Sequence, residues 1–153
     1  MIISKIFYTI YIFIFLTDFI FKTECLFFKH TVGVSGILRC KFLKSGNFNV
    51  LLSNNKNIND NKVLAKTQAK LNNSFFLIAS SVSLTKAAFF VKIYHNCFYS
   101  KRYCLGVIIK TIPSKYIYNK IGVNNFFSLR NLKLEEERSE FIYCGIKKNR
   151  LTV

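Results

Sequence analysis

Five cysteines, two histidines and one run of acids are the residues of this chain whose chemistry could do more than fill a core. Cys25, Cys40, Cys97, Cys104 and Cys144 are odd in number and include no Cys-x-x-Cys pair. Cys97 and Cys104 stand too far apart for the usual zinc-ligand spacing, and His30 and His95 do not complete a ligand set. The sequence reads them as small buried apolar residues, with a disulfide or metal framework as the competing reading. Glu135, Glu136 and Glu137 are neighbours on a polar stretch, which suits a solvated face better than a pair of catalytic carboxylates. No nucleophile with a plausible base, no Gly-rich phosphate loop and no His/Asp/Glu metal set can be picked out. The expectation is a protein that is not an enzyme and holds no metal or cofactor.

Positive charge is what the chain has in quantity. Its 153 residues carry a net charge of +16. Residues 1–24 are neutral overall, with Lys5 and Lys22 against Asp18 and Glu24. The excess lies beyond them, where Asp60, Glu135, Glu136, Glu137 and Glu140 are the only acids. Charge of this density repels itself in a compact fold unless an anionic partner neutralises it. Nucleic acid or an anionic membrane surface is the natural candidate. Lys101 and Arg102, in a turn flanked by Tyr99 and Tyr103, read as a phosphate-binding turn. Lys147, Lys148 and Arg150 form the densest basic cluster. Lys110, Lys120 and Arg130 are single cations near strand ends. Phe89, Phe90, Phe126 and Phe127 read as core and not as stacking platforms.

Three segments would have to position these groups. Residues 1–25 have the form of a signal sequence: Lys5 precedes the apolar run Ile6–Leu16, and Thr23 and Cys25 offer small residues for cleavage. Asp18 would sit badly inside a membrane span. Residues 26–83 are basic, rich in Ser and Asn and nearly free of acid, which is the composition of a transit peptide and predicts a largely disordered leader. Within it, Ser53–Asn61 is low in complexity, and Val63–Leu71 has the content of two helical turns. From Leu84 the texture changes. Phe89–Tyr94, Gly106–Ile112, Tyr116–Val123, Asn125–Leu129 and Phe141–Ile146 read as five short strands, with breaks at Pro113, Gly122 and Gly145. Five short strands in residues 84–153 predict a mainly β fold in the form of a small barrel.

Four segments of this region resemble the bacterial-type large-subunit ribosomal protein nineteen. Gly106-Val107-Ile108-Ile109-Lys110 is similar to that family's G-V-V-I-[KA] strand, with Lys101–Leu105 as its basic lead-in and Val91-Lys92-Ile93 as its V-K-[IV]. Gly122–Asn131 is similar to G-V-E-R-V-F-P-L-H-S, and Cys144–Leu151 to R-G-x-V-R-R-A-K-L. The sequence departs at the Glu and Arg of G-V-E-R (Asn124 and Asn125), at a Pro (Ser128) and in a shortened hairpin. The resemblance implies an SH3-like barrel that binds ribosomal RNA beside neighbouring ribosomal proteins, in an organelle. The two-part leader would route the chain through the secretory pathway to a relic plastid. Lys101, Arg102, Lys110, Lys120, Arg130, Lys147, Lys148 and Arg150 are then the expected RNA contacts. The rival reading is a small secreted or membrane-anchored basic protein without enzymatic activity.

Overall fold

A computed structural model of the protein describes residues 2–23, 28–58, 62–85, 87–99, 104–119 and 122–145. It is mainly β. Helix α1 (Ile2–Thr23) precedes nine strands among the described residues: β1 (Phe28–Arg39), β2 (Asn47–Ser53), β3 (Ala65–Lys70), β4 (Ser74–Ser83), β5 (Phe90–His95), β6 (Cys104–Thr111), β7 (Ile117–Tyr118), β8 (Phe127–Lys133) and β9 (Glu140–Cys144). They form two open sheets that face each other across one core. The expected closed barrel is therefore corrected to a sandwich.

The four-stranded sheet is built on β1. That strand pairs antiparallel with β4 along one edge; along the other it takes β7 antiparallel and β8 parallel. The second sheet runs β3-β2-β5-β6-β9, every pair antiparallel. The strands of residues 84–153 cannot close on themselves, because β5, β6 and β9 extend a sheet begun by β2 and β3, while β7 and β8 join β1. Residues 28–83, expected to be a disordered leader, supply four strands. Twelve of the twenty-one buried core residues, from Val32 to Ala79, come from this segment, so it is more than half of the core.

Alternation explains why these polar-looking stretches fold. In β2, Phe48, Val50 and Leu52 point inward while Asn47 and Asn49 point to solvent. In β4, Phe75, Leu77 and Ala79 point inward. Period 2 buries one face of each strand against the opposite sheet and leaves the other face free to be Ser or Asn. Val63–Leu71, read as helical turns, is instead β3 on the open edge of β2, with a register from Asn47↔Lys70 to Leu52↔Ala65. Its helix-forming Ala, Lys and Gln are overridden by a partner strand whose ladder they complete. The Ser53–Asn61 stretch is loop as far as it is described, and the Asn57 carbonyl accepts a hydrogen bond from Lys92 Nζ. That contact matters, because Lys92 is fully buried.

Two local features fix how β8 lies on β1. Gly33 must lack a side chain: a Cβ there would lie 2.9 Å from both the Phe126 ring and Val123. The segment before β8 can thus cross directly over β1. The β1–β8 register then slips between Ser35 and Ile37, opposite Ser128 and Asn131. Arg130 falls in this slip and takes a left-handed φ of 51°, as residues at bulges do.

Among the described side chains, helix α1 contributes none to that core. Its side chains from Lys5 to Leu16 are exposed on every face, while all buried core residues and both disulfides lie between Val32 and Cys144. The sandwich is complete without the helix. Among the described residues no helix is long and apolar enough to cross a membrane.

Candidate functional site: a disulfide-braced end and the groove beside it

Four of the five cysteines are paired. Cys40, just after β1, joins Cys97, just after β5, with Cα atoms 5.9 Å apart. Cys104 on β6 joins Cys144 on β9 at facing ladder positions. The reading as isolated apolar residues is thus replaced by its rival. Burial itself is real for Cys40 and Cys97, inside the core, and for Cys104, beneath the groove described below. Cys25 lies outside the described residues. Cys40, Cys97 and Glu135 offer ligand atoms within 4.8 Å of one another. With both sulfurs committed to a disulfide, no thiolate remains to bind a metal.

The Cys40–Cys97 bond ties two loops at one end of the sandwich, and aromatic residues gather around it. Phe42 meets the exposed Tyr99 edge-on at 5.4 Å. Phe98 stacks between His95 and Phe141, each 4.9 Å away. Gly106 makes room for that ring, since a Cβ there would lie 2.6 Å from Phe98 Cζ.

His95 is the group here that most resembles a catalytic base. Its Nε2 lies 2.8 Å from Ser139 Oγ, a distance a nucleophile–base pair would show. The other nitrogen rules that role out. The Cys97 backbone N–H donates to Nδ1 at 3.2 Å, so Nε2 carries the proton and donates to Ser139. Burial also pushes the imidazole pKa down to about 4. A neutral histidine with its proton already turned to the serine positions the loop and cannot deprotonate that serine. His30 is likewise structural: its nitrogens meet Asn119 Oδ1 at 2.7 Å and the Thr85 carbonyl at 3.1 Å.

Beside this end, the outer face of the five-stranded sheet holds a groove of about 680 Å³, within the size range of small-ligand sites. Ladder register sets its floor. Asn49 faces Tyr94 across the β2–β5 ladder, and Leu51 faces Lys66 across the β2–β3 ladder. Lys66 gives the β3 margin positive charge, with Lys70 further along the same face of that strand; Tyr94, Leu105 and Tyr143 make the opposite side apolar. Burial raises the Tyr94 phenol pKa above its ordinary value, so it is a neutral donor at physiological pH. Such a groove suits a ligand with one flat apolar face and one anionic edge.

Of the eight basic residues singled out from sequence, the structure describes two, and neither lines this groove. Lys101, Arg102, Lys120, Lys147, Lys148 and Arg150 lie outside the described residues. Lys110 is half-buried on β6 and pairs with Glu137 at 2.7 Å. Arg130 is exposed on β8, in the other sheet. The acids of the β8–β9 turn are engaged too, Glu136 with Lys133 at 2.7 Å. Of the aromatic residues expected in the core, Phe89 is fully buried and Phe127 packs against it. The groove was missed because its residues are scattered over five strands, and only ladder register brings them together.

This architecture defines a disulfide-braced β-sandwich domain, a scaffold that presents loops and a sheet face. Residues 35–113, just over half of the chain, match the profile of the transthyretin-like family, and the chain belongs to that family. No curated protein matches it.

The match corrects the ribosomal resemblance. Val91–Ile93 and Gly106–Lys110, which carried that likeness, fall inside the matched region as β5 and β6. Strings such as G-V-I-I-K describe any strand covered on both faces, as Val107 and Ile108 are. The family assignment removes the ribosomal role, and with it ribosomal RNA and neighbouring ribosomal proteins as partners.

Proposed function

We propose that the chain is a small, secreted, non-enzymatic binding protein. Residues 1–25 act as the signal that takes it into the secretory pathway, and the sandwich presents its cationic groove to an anionic ligand outside the cell. The observation that carries this reading is the pair of disulfides. Structural disulfides form and persist in oxidising compartments and are rare where thiols are kept reduced. The exposed, largely apolar run Ile6–Leu16 of α1 is the second support, since its described side chains do not pack into the sandwich. Because residues 28–83 are strands, the routing information this reading needs is confined to the first 25 residues.

The test is expression of the full chain in a secreting eukaryotic cell line. The expected product in the medium has lost its N-terminal segment and resists alkylation at Cys40, Cys97, Cys104 and Cys144 until reduced. A chain that keeps its N-terminus, stays in the cytosol and has all five cysteines alkylatable would defeat the proposal. For the groove, a sulfated sugar column at rising salt provides the readout. Lys66→Glu with Lys70→Glu should elute at markedly lower salt than the wild type.

A further inference from the structure

Strand edges open to pairing with other chains are ordinarily guarded by lysine, proline or a bulge. The two edges on one side of this sandwich differ sharply in that respect. β3, at the edge of the five-stranded sheet, turns Lys66, Gln68 and Lys70 to solvent. β4, at the edge of the four-stranded sheet, has no such guard. All ten of its residues pair with β1 without a register slip, and among the described strands nothing pairs with its other edge. Its outward side chains include Phe76, Ile78 and Val82, which are 72%, 48% and 61% exposed. From Leu71 to Thr85 the sequence has no Asp, Glu, Lys, Arg or His, the longest such run in a chain of charge +16.

We propose that β4 is a self-association edge, where two copies of this chain join β4 to β4 antiparallel about a twofold axis. Identical strands paired this way are self-complementary, so each copy's Phe76, Ile78 and Val82 meet the same apolar row reversed. The outer backbone groups of β4 complete a ladder that runs on into the four-stranded sheet of the other copy. The occupant is a second copy and not an oppositely charged protein, because the edge has no charge by which to recognise one. The lysines elsewhere keep other faces of two copies apart. An edge this short lies at the small end of specific interfaces, so the dimer is weak, with dissociation in roughly the micromolar range.

The sandwich is complete without α1, so the test uses residues 26–153 in the oxidised state, which also removes Cys25 as a source of accidental cross-linking. Sedimentation equilibrium over about a hundredfold range of concentration should give a monomer–dimer isotherm. Added salt should tighten it, by screening the repulsion between two basic bodies; binding of an anion to the groove must respond in the opposite sense. Ile78→Lys and Val82→Lys, tested separately, each put a charge into the apolar row that pairing covers and should each weaken the dimer at least about tenfold. Both side chains face solvent, so the unfolding midpoint of the monomer should stay put. β4 amides should exchange more slowly in the dimer. A monomer at every concentration, a dimer indifferent to both substitutions, or one whose β4 amides exchange as in the monomer would overturn the proposal.

Discussion

Removal of the Cys40–Cys97 cross-link, by substituting both cysteines with alanine, tests whether this small sandwich depends on its staples. The two cysteines are 57 residues apart and Cys104 and Cys144 are 40 apart. The closed loops do not overlap along the chain, so each restricts the unfolded ensemble independently. Loop-closure entropy then gives about 4 kcal/mol for each bond. Loss of both would remove most of the roughly 5–15 kcal/mol typical of a domain. The two should not behave alike in practice. Cys40 and Cys97 are buried in the core and tie loops from different sheets, so the native state gains no freedom when that bond goes. The C40A/C97A variant should lose close to the full amount, about 3–4 kcal/mol. Cys144 sits on β9, whose five residues are all exposed, so without its bond β9 can fray from β6 while the rest stays folded. C104A/C144A should therefore lose less, and its amide exchange should quicken on β9 alone. Urea unfolding under non-reducing conditions measures both, with m expected to rise as the freed unfolded chain expands. A loss below about 1 kcal/mol for C40A/C97A, or a larger loss for C104A/C144A, would refute the reasoning.

Three further outcomes follow from the same geometry. Gly106→Ala drives a methyl into Phe98, which is held on both sides by His95 and Phe141 and cannot swing clear, so a loss of about 1–3 kcal/mol is expected in thermal melts. His95, with its folded pKa near 4 against an ordinary 6.5, makes stability fall with acidification between those two values, because there the unfolded chain binds the proton and the folded one does not. The full displacement corresponds to roughly 3 kcal/mol, nearer 2 with solvent access to the loop, and His95→Gln should flatten that part of the curve. Lys110→Ala breaks an ion pair whose partners are each about 30% exposed and should cost no more than about 1 kcal/mol by urea unfolding.

What the sequence discloses and what it conceals differ for a physical reason. β5 and β6 were legible because FFVKIY and GVIIKTI are covered on both faces and read as unbroken β-branched and aromatic runs. The disulfides were not legible: their partners are 57 and 40 residues apart, and five cysteines without a local pair leave the connectivity open. β3 misled because Ala, Lys and Gln favour a helix by intrinsic propensity, and only the open edge of β2 decides otherwise. The leader is the most instructive case. A Ser/Asn-rich, acid-poor composition is shared by an unfolded tail and by the solvent face of strands in a basic protein, so an average over residues 26–83 cannot tell them apart. Position parity can. Asn47-Phe48-Asn49-Val50 alternates polar and apolar at every step, and β4 repeats Phe75, Leu77 and Ala79 at intervals of two; but its other face holds Phe76 and Ile78 as well, which hides the alternation. The apolar residues that blurred the strand pattern are those left exposed on the unguarded edge. Where a strand's two faces are equally hydrophobic and only one is buried, the irregularity itself is the mark of a surface meant to be covered.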